Sequence, residues 1–328
     1  MTQLLLLTRA DITGLLSLDD HLTAVETAFR LLGEGHADLP PPMHVSGTDG
    51  MFHVKAAALP LNRRYAAFKV NGNFPANPAR YGLPTIQGAI LLFDGDLGRP
   101  VAVMDSIEIT IARTGAASGL AARYLARPDS RVATVCGCGE QGRIQLANMA
   151  HVLPITRAYV WDIDSDRAAD FAARMTQDLG FDVIVATDLR TATLQSDVIV
   201  TCTTARKAYV GCDDVRPGCF IAAVGADNPD KQELQPMLLA AAHVFADVAD
   251  QCAAMGDLHH AIAAGVMTRS DVAGELADLV TGRDPGRTSA DQITVFDSTG
   301  TAVQDVAAAA LAYERALERG AGLAVDFA

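Results

Sequence analysis

The sequence predicts an α/β protein of two units: a doubly wound parallel sheet, and an α+β unit made from the first third of the chain together with its last helix. Three observations carry this. Residues 131–296 alternate short apolar strands with helical segments, which is the pattern of a parallel sheet with right-handed crossovers. Residues 52–105 hold strands in direct succession, divided by Asn-Gly, Pro and Asp-Gly signals. Half of the 328 residues are apolar, enough for two cores.

Taken in order, 18–32 places apolar residues at 22, 25, 28, 29 and 32, one face of a helix, and Pro40-Pro41-Pro42 ends that region. Strands are expected at 52–58, 65–71, 85–94 and 100–105. The Ala-rich stretch 106–125 has helical propensity and is closed by Arg127-Pro128-Asp129, so it reads as a bridge between units. Beyond it the expected order is strand 131–136, helix 141–151, strand 158–161, helix 165–179 and strand 182–186. Further strands follow at 198–202, 219–224, 243–246 and 293–296. The last helix, from 303 to 319, is expected to leave the parallel sheet, which divides the chain into 1–125 with 303–328 and 126–302.

Charge excludes several partners. With 26 basic and 39 acidic residues the net charge is -13, and no basic stretch exists to neutralise a phosphate backbone or an anionic bilayer. No apolar run reaches the roughly 18 residues of a membrane span. Met-Thr-Gln-Leu-Leu-Leu-Leu-Thr-Arg lacks the positive start and small-residue cleavage site of a signal peptide, so a cytoplasmic location is expected. Cysteines at 136, 138, 202, 212, 219 and 252 follow no disulfide or zinc spacing. Reduced thiols and no metal are expected.

The cofactor signal is Val135-Cys136-Gly137-Cys138-Gly139-Glu140-Gln141-Gly142. A lone GxGxxG is weak, but this one follows an apolar strand and opens a helix. A second strand then ends at Trp161-Asp162, with Asp162 20 residues after Gly142. The first glycine permits a tight turn, the second lets backbone approach a pyrophosphate, and the helix N-terminus supplies N–H donors. This is a Rossmann-type unit. Asp162 is placed to accept both ribose hydroxyls and to repel a 2′-phosphate, so NAD(H) is expected rather than NADP(H).

Three charged residues stand where chemistry is expected. Lys69, in Phe68-Lys69-Val70-Asn71-Gly72, lies in an apolar strand, where an ammonium is costly without an anionic partner. That partner is either a substrate carboxylate or a structural acid. Arg113, in Ile111-Ala112-Arg113-Thr114-Gly115, has the geometry to clamp a carboxylate bidentately, or to close a structural ion pair. Asp227 follows the 219–224 strand, at the carboxyl end where open α/β sheets bind ligands, although Asp before Asn-Pro is also an ordinary turn former.

Lys69 in FKVNG, Arg113-Thr114 in ARTGAAS, GCGEQG, VGADNPDKQEL from 224 to 234, and VFDSTG from 295 to 300 resemble, in order and spacing, the ornithine cyclodeaminase and mu-crystallin family. The likeness runs from about 5 to 318. It implies a substrate-binding and dimerisation unit joined to an NAD-binding unit, usually in a homodimer. It also implies that Lys69 and Arg113 meet the substrate's α-carboxylate and that Asp227 transfers the proton. Thr85, Thr114, Gly139, Gln141, Asp162, Val224, Lys231 and Ser298 match positions lining the dinucleotide. Arg113, Gly137, Glu140, Thr201, Gly225 and Ala226 complete that set.

The chain departs from the family at two places. Where many members carry an arginine it reads Pro42-Met43-His44, and where the cyclodeaminase branch has a glutamate it reads Phe52-His53-Val54-Lys55. His53 and Lys55 point to one face of a strand. With His44 they form either a replacement cationic carboxylate site or a solvated strand face. His259-His260 reads as helix surface.

The departures count against ornithine. The expected activity is therefore an NAD(H)-dependent imine reductase, of the Δ1-pyrroline-2-carboxylate type, or an amino-acid dehydrogenase. Ornithine cyclodeaminase is the alternative, followed by cis-3-hydroxyproline dehydratase and by a dinucleotide-binding protein without turnover.

Overall fold

The computed structural model describes residues 3–327. The chain forms two compact units, divided between Arg113 and Thr114 and again between Gly300 and Thr301. The helix Ser106–Leu125 has the expected bounds, yet the first division falls inside it rather than at its end. The reason is local packing. Ile109 belongs to the first unit's core, whereas Gly115 lies against Ile144 and Asn148 of the second.

The first unit contains β1 (Gln3–Leu7), β2 (Met43–Ser46), β3 (Met51–Pro60), β4 (Arg64–Asn73), β5 (Ile86–Asp94) and β6 (Arg99–Asp105). Together with Leu323–Asp326 they make one sheet in the order Leu323–Asp326, β1, β6, β5, β4, β3, β2. β1 runs parallel to β6 and every other pairing is antiparallel. β1, β2 and Leu323–Asp326 were not expected. The N-terminal leucines form a strand whose Leu4, Leu5 and Leu7 are buried.

Alternation along β4 sets the site. Tyr65, Ala67 and Lys69 point inward and are buried, while Phe68 and Val70 point outward and are exposed. The helix Ala302–Arg319 packs on the inward face against β3, β4 and β5, over Leu59, Tyr65, Ile90 and Leu92. All of its residues from 302 to 310 are buried, and its many alanines let helix and sheet approach closely.

The second unit contains β7 (Val132–Cys136), β8 (Arg157–Trp161), β9 (Asp182–Val185), β10 (Val198–Thr201), β11 (Arg206–Val210), β12 (Phe220–Ala223), β13 (Gln232–Leu234), β14 (His243–Ala246), β15 (Gly274–Glu275) and β16 (Thr294–Asp297). Its main sheet is fully parallel, in the order β15, β14, β16, β12, β10, β7, β8, β9. From β7 the chain winds one way through β8 and β9, and then returns to β10 and winds the other way. The switch point therefore lies between β7 and β10, where such sheets bind ligands. The expected doubly wound architecture is present. β11 and β13 form a separate two-stranded ribbon that the sequence reading passed over.

Candidate active site

At the switch point, β7 ends in a turn that only glycine fits. Gly137 has φ +107°, and a side chain at Gly142 would come within 2.1 Å of the Gly137 carbonyl. Gly139, the N-cap of helix Glu140–Val152, has open space where a Cβ would stand, and no side chain caps the helix. The first-turn N–H groups are thus left for an anion. The Gln141 Oε1 is buried there without a hydrogen-bond partner. Glu140 is exposed and pairs with Arg143 at 3.1 Å, so only its backbone belongs to the cradle.

Asp162 follows β8 and closes the loop. Its Oδ2 accepts from the Cys138 N–H at 2.8 Å, and its Oδ1 accepts from the Asp164 N–H at 3.0 Å. A carboxylate offers about four lone-pair sites, so capacity for ribose hydroxyls remains. Arg167 stands 4.0 Å from the same carboxylate and is 56 % exposed. The loop, its uncapped helix and the acid at the end of the next strand fit a dinucleotide.

Along the other half of the sheet, buried carboxylates that the sequence reading missed tie the strand ends together. Glu233 accepts from the Thr203 N–H and hydroxyl, at 2.7 and 2.6 Å, and from the Gly225 N–H at 2.9 Å. It thereby joins the loops after β10, where Thr201 is the last residue, and after β12, where Val224, Gly225 and Ala226 follow. Asp257 accepts from the Glu233 and Leu234 N–H groups, and Asp297 accepts from the Leu258 N–H at 2.9 Å. Asp247 holds the Ser298 hydroxyl at 2.9 Å and the Gly300 N–H at 2.6 Å.

Burial raises the pKa of Glu233 against its Thr203 hydrogen bonds, and it raises Asp257 further with help from the Asp297 charge. Asp297 itself is pushed up to about 7, mainly by burial. A signal for these residues existed in the sequence: acids ending or flanking fully apolar strands, as in Val295-Phe296-Asp297.

Asp227 sits where expected, in the loop after β12, and its side chain is 49 % exposed. Lys231 reaches back to its Oδ1 at 2.7 Å. His260 corrects the surface reading of the His259-His260 pair. It is half-buried and its Nε2 donates to the Lys231 carbonyl at 2.8 Å, which supports the 227–231 turn, while His259 bonds the Ala253 carbonyl. Thr114, the first residue of this unit, accepts from Gln145 at 3.4 Å through its carbonyl.

In the first unit, Lys69 and Arg113 share an acid that the sequence reading did not name. Lys69 Nζ lies 2.7 Å from Asp305 Oδ2 and Arg113 Nε lies 2.9 Å from Asp305 Oδ1, with all three side chains at most 4 % exposed. Arg113 also donates to Gln304 Oε1 at 3.0 Å, and Lys69 to Thr110 at 3.3 Å. Two buried cations therefore lean on one carboxylate. Burial lowers the Lys69 pKa to about 7; Asp305 opposes the shift, and Arg113 and Lys55 add to it. Burial alone would raise the Asp305 carboxyl, but Arg113 and Lys69 hold it below its usual range. Asp305 was legible as a lone acid in the apolar helix Val303-Gln304-Asp305-Val306-Ala307.

The remaining candidates of this unit divide. Lys55 is paired directly with Lys69 in the β3–β4 register, His53 faces inward two residues earlier, and His44 Nδ1 lies 3.0 Å from His53 Nδ1. The expected cluster is thus assembled on the same face as Lys69. Thr85 precedes β5, and its carbonyl accepts from the Phe74 N–H at 2.8 Å. A cleft of about 630 Å³ near Asp49, Phe52 and Arg80 contains none of the candidates, because Phe52 and its neighbour Gly72 belong to the opposite face of the sheet.

Comparison with known proteins places this geometry in context. The chain matches the ornithine cyclodeaminase/mu-crystallin family over residues 2–320. It is 37 % identical over 323 residues to the alanine dehydrogenase of Archaeoglobus fulgidus, covering 98 % of each chain. Among solved structures it is similar to an archaeal alanine dehydrogenase dimer with bound NAD, with a TM-score of 0.95 and 37 % identity over 99 % of this chain and 100 % of that one. It is also similar to Thermococcus litoralis Δ1-pyrroline-2-carboxylate reductase in complex with NADH and L-proline. There the TM-score is 0.94 and the identity 35 %, over 98 % of this chain and 100 % of that one.

Proposed function

Because the chain belongs to the ornithine cyclodeaminase/mu-crystallin family, we propose that it is an NAD(H)-dependent oxidoreductase acting at the α-carbon of a small amino acid or cyclic imino acid. The α C–H and an N–H are lost as hydride and proton to leave a C=N bond, the nicotinamide supplying or accepting the hydride according to direction. The observation that carries the reading is the pair of buried cations on one carboxylate. With Lys69 protonated, Lys69 and Arg113 together exceed Asp305 by one positive charge, and a substrate α-carboxylate balances it with charge-assisted hydrogen bonds. His44, His53 and Lys55 extend the cationic site along the same sheet face, in place of the arginine of many relatives. Holding the carboxylate fixes the α-carbon, which is where most of the entropic advantage of such a site arises.

Asp227 is assigned the proton transfer at nitrogen. Half exposed and tied to Lys231, it presents a carboxylate to the site with a donor beside it. The Gly137–Gly139 loop and the N-terminus of helix Glu140–Val152 are assigned the pyrophosphate, and Asp162 the ribose. Thr114, Gln141, Thr201, Val224, Gly225, Ala226, Lys231 and Ser298 complete the dinucleotide set within the second unit. The relatives solved with NAD and NADH support this cofactor.

A homodimer is part of the same reading. Phe52, Phe68, Val70 and Leu91 are 37–42 % exposed on the outward face of the first sheet, an apolar surface suited to a second copy. No helix among the described residues is long and apolar enough to cross a membrane.

The test is nicotinamide absorbance with NADH and Δ1-pyrroline-2-carboxylate, and with NAD+ and L-alanine or L-proline, beside ammonia release from L-ornithine. Net absorbance change supports the proposal. Ammonia from ornithine with no net change assigns a cyclodeaminase, and cofactor binding with neither reaction assigns a binding protein.

A further inference from the structure

The helix Ala302–Arg319 opens with Thr301-Ala302-Val303-Gln304, the spelling of a capping box, in which the two end residues cap each other's backbone N–H groups with their side chains. Neither does so here. Thr301 makes no side-chain cap and its Oγ1 is buried without a hydrogen-bond partner, while Gln304 turns to Arg113 and accepts from its Nη1 at 3.0 Å. A guanidinium only donates, so the amide oxygen must face it and the amide nitrogen must point away. That nitrogen, Nε2, has no partner among the described residues, in a side chain 0 % exposed. A stranded buried donor opposes folding.

A glutamate of the same shape would strand no N–H, would hold Arg113 by a charge-assisted bond, and would suit the positive end of the helix. It would also complete the charge. With Lys69 protonated, Lys69 and Arg113 share Asp305 alone, at 2.7 and 2.9 Å, and Lys55 from β3 is the further charged group that bears on Lys69. The neutral amide therefore holds the guanidinium and leaves the positive charge uncancelled. With Nε on Asp305 and Nη1 on Gln304, Nη2 is the corner of the fork that makes no hydrogen bond to a described residue.

We infer that Gln304 is a positioning residue of this site, which orients the Arg113 guanidinium for the substrate α-carboxylate without neutralising it. This rests on the oxidoreductase reading above. The unused capping box and the stranded amide are stability given up for an anion site.

The experiment compares Gln304→Glu and Gln304→Ala with the unaltered full-length protein. It uses denaturant unfolding, and steady-state kinetics from about pH 6 to 9 with NADH and Δ1-pyrroline-2-carboxylate and with NAD+ and L-alanine. Gln304→Glu is expected to unfold at higher denaturant and to raise KM by at least about tenfold, with kcat changed far less, because the added carboxylate repels the substrate's. Its kcat/KM relative to the unaltered protein is expected to rise about tenfold across that range, because the added negative charge keeps Lys69 protonated to higher pH. Ionisation of the substrate cancels in that ratio. Gln304→Ala removes the positioning and adds no charge, so it is expected to lower kcat/KM by about tenfold with an unchanged pH dependence. Fluorescence titration with NADH shows that each variant is folded. A Gln304→Glu variant that is less stable, or that keeps the KM and pH dependence of the unaltered protein, overturns this inference and leaves the oxidoreductase reading standing. Unchanged kcat/KM in Gln304→Ala does the same. No turnover of either substrate by the unaltered protein, while NADH binds, overturns both.

Discussion

Lys69 and Asp305 meet at 2.7 Å in the interior of the first unit, and Arg113 occupies the other oxygen of the same carboxylate at 2.9 Å. The arrangement is unbalanced, which makes its variants unequal. Asp305→Ala strands two buried cations and is expected to cost about 3–5 kcal/mol of stability. Lys69→Met leaves a matched Arg113–Asp305 pair and is expected to cost far less, or to stabilise. Denaturant unfolding of both variants checks this, and equal losses would show that the lysine is a structural partner of Asp305 and nothing more.

The depressed Lys69 pKa predicts a pH profile. The free protein holds the Lys69 proton below pH about 7 and loses it above, because burial disfavours the charged form. If the ammonium binds the substrate carboxylate, kcat/KM falls by up to about tenfold per pH unit above that point. Lys69→Arg keeps its charge throughout and should remove that limb, whatever it does to the absolute rate.

Asp162 predicts tighter binding of NADH than of NADPH. Its carboxylate repels a 2′-phosphate, although Arg167 stands 4.0 Å away. Asp162→Ala is expected to weaken NADH by about 10- to 150-fold, and to narrow or reverse the preference by leaving Arg167 to meet a phosphate. Fluorescence titration with both cofactors decides it.

Asp227→Asn is expected to retain NADH affinity and to lower turnover by about 100-fold or more, the scale of a general acid or base. Unchanged turnover would move the proton transfer to another group, with His53 and Lys69 the next to replace.

Much of this was legible in the sequence, for identifiable reasons. The helix Ser106–Leu125 and the Gly137–Gly142 turn follow from propensity and from backbone geometry that only glycine satisfies, both local properties. The His53–Lys55 face follows from strand alternation. Asp305, Glu233 and His260 were not read because their roles depend on partners remote in sequence: Lys69, Gly225 with Thr203, and Lys231. β1 and Leu323–Asp326 were missed for a similar reason, since neither stands as a strand without the other and β6.

The central claim is that hydride passes between a nicotinamide and the α-carbon of an amino or imino acid. It is tested most directly by supplying NADH deuterated at the transferring position of C4 together with Δ1-pyrroline-2-carboxylate, and reading the proline formed by mass spectrometry. The account predicts one deuterium at the α-carbon, with NADH consumed in equal amount. Proline without deuterium, or no proline while NADH binds normally, would contradict it.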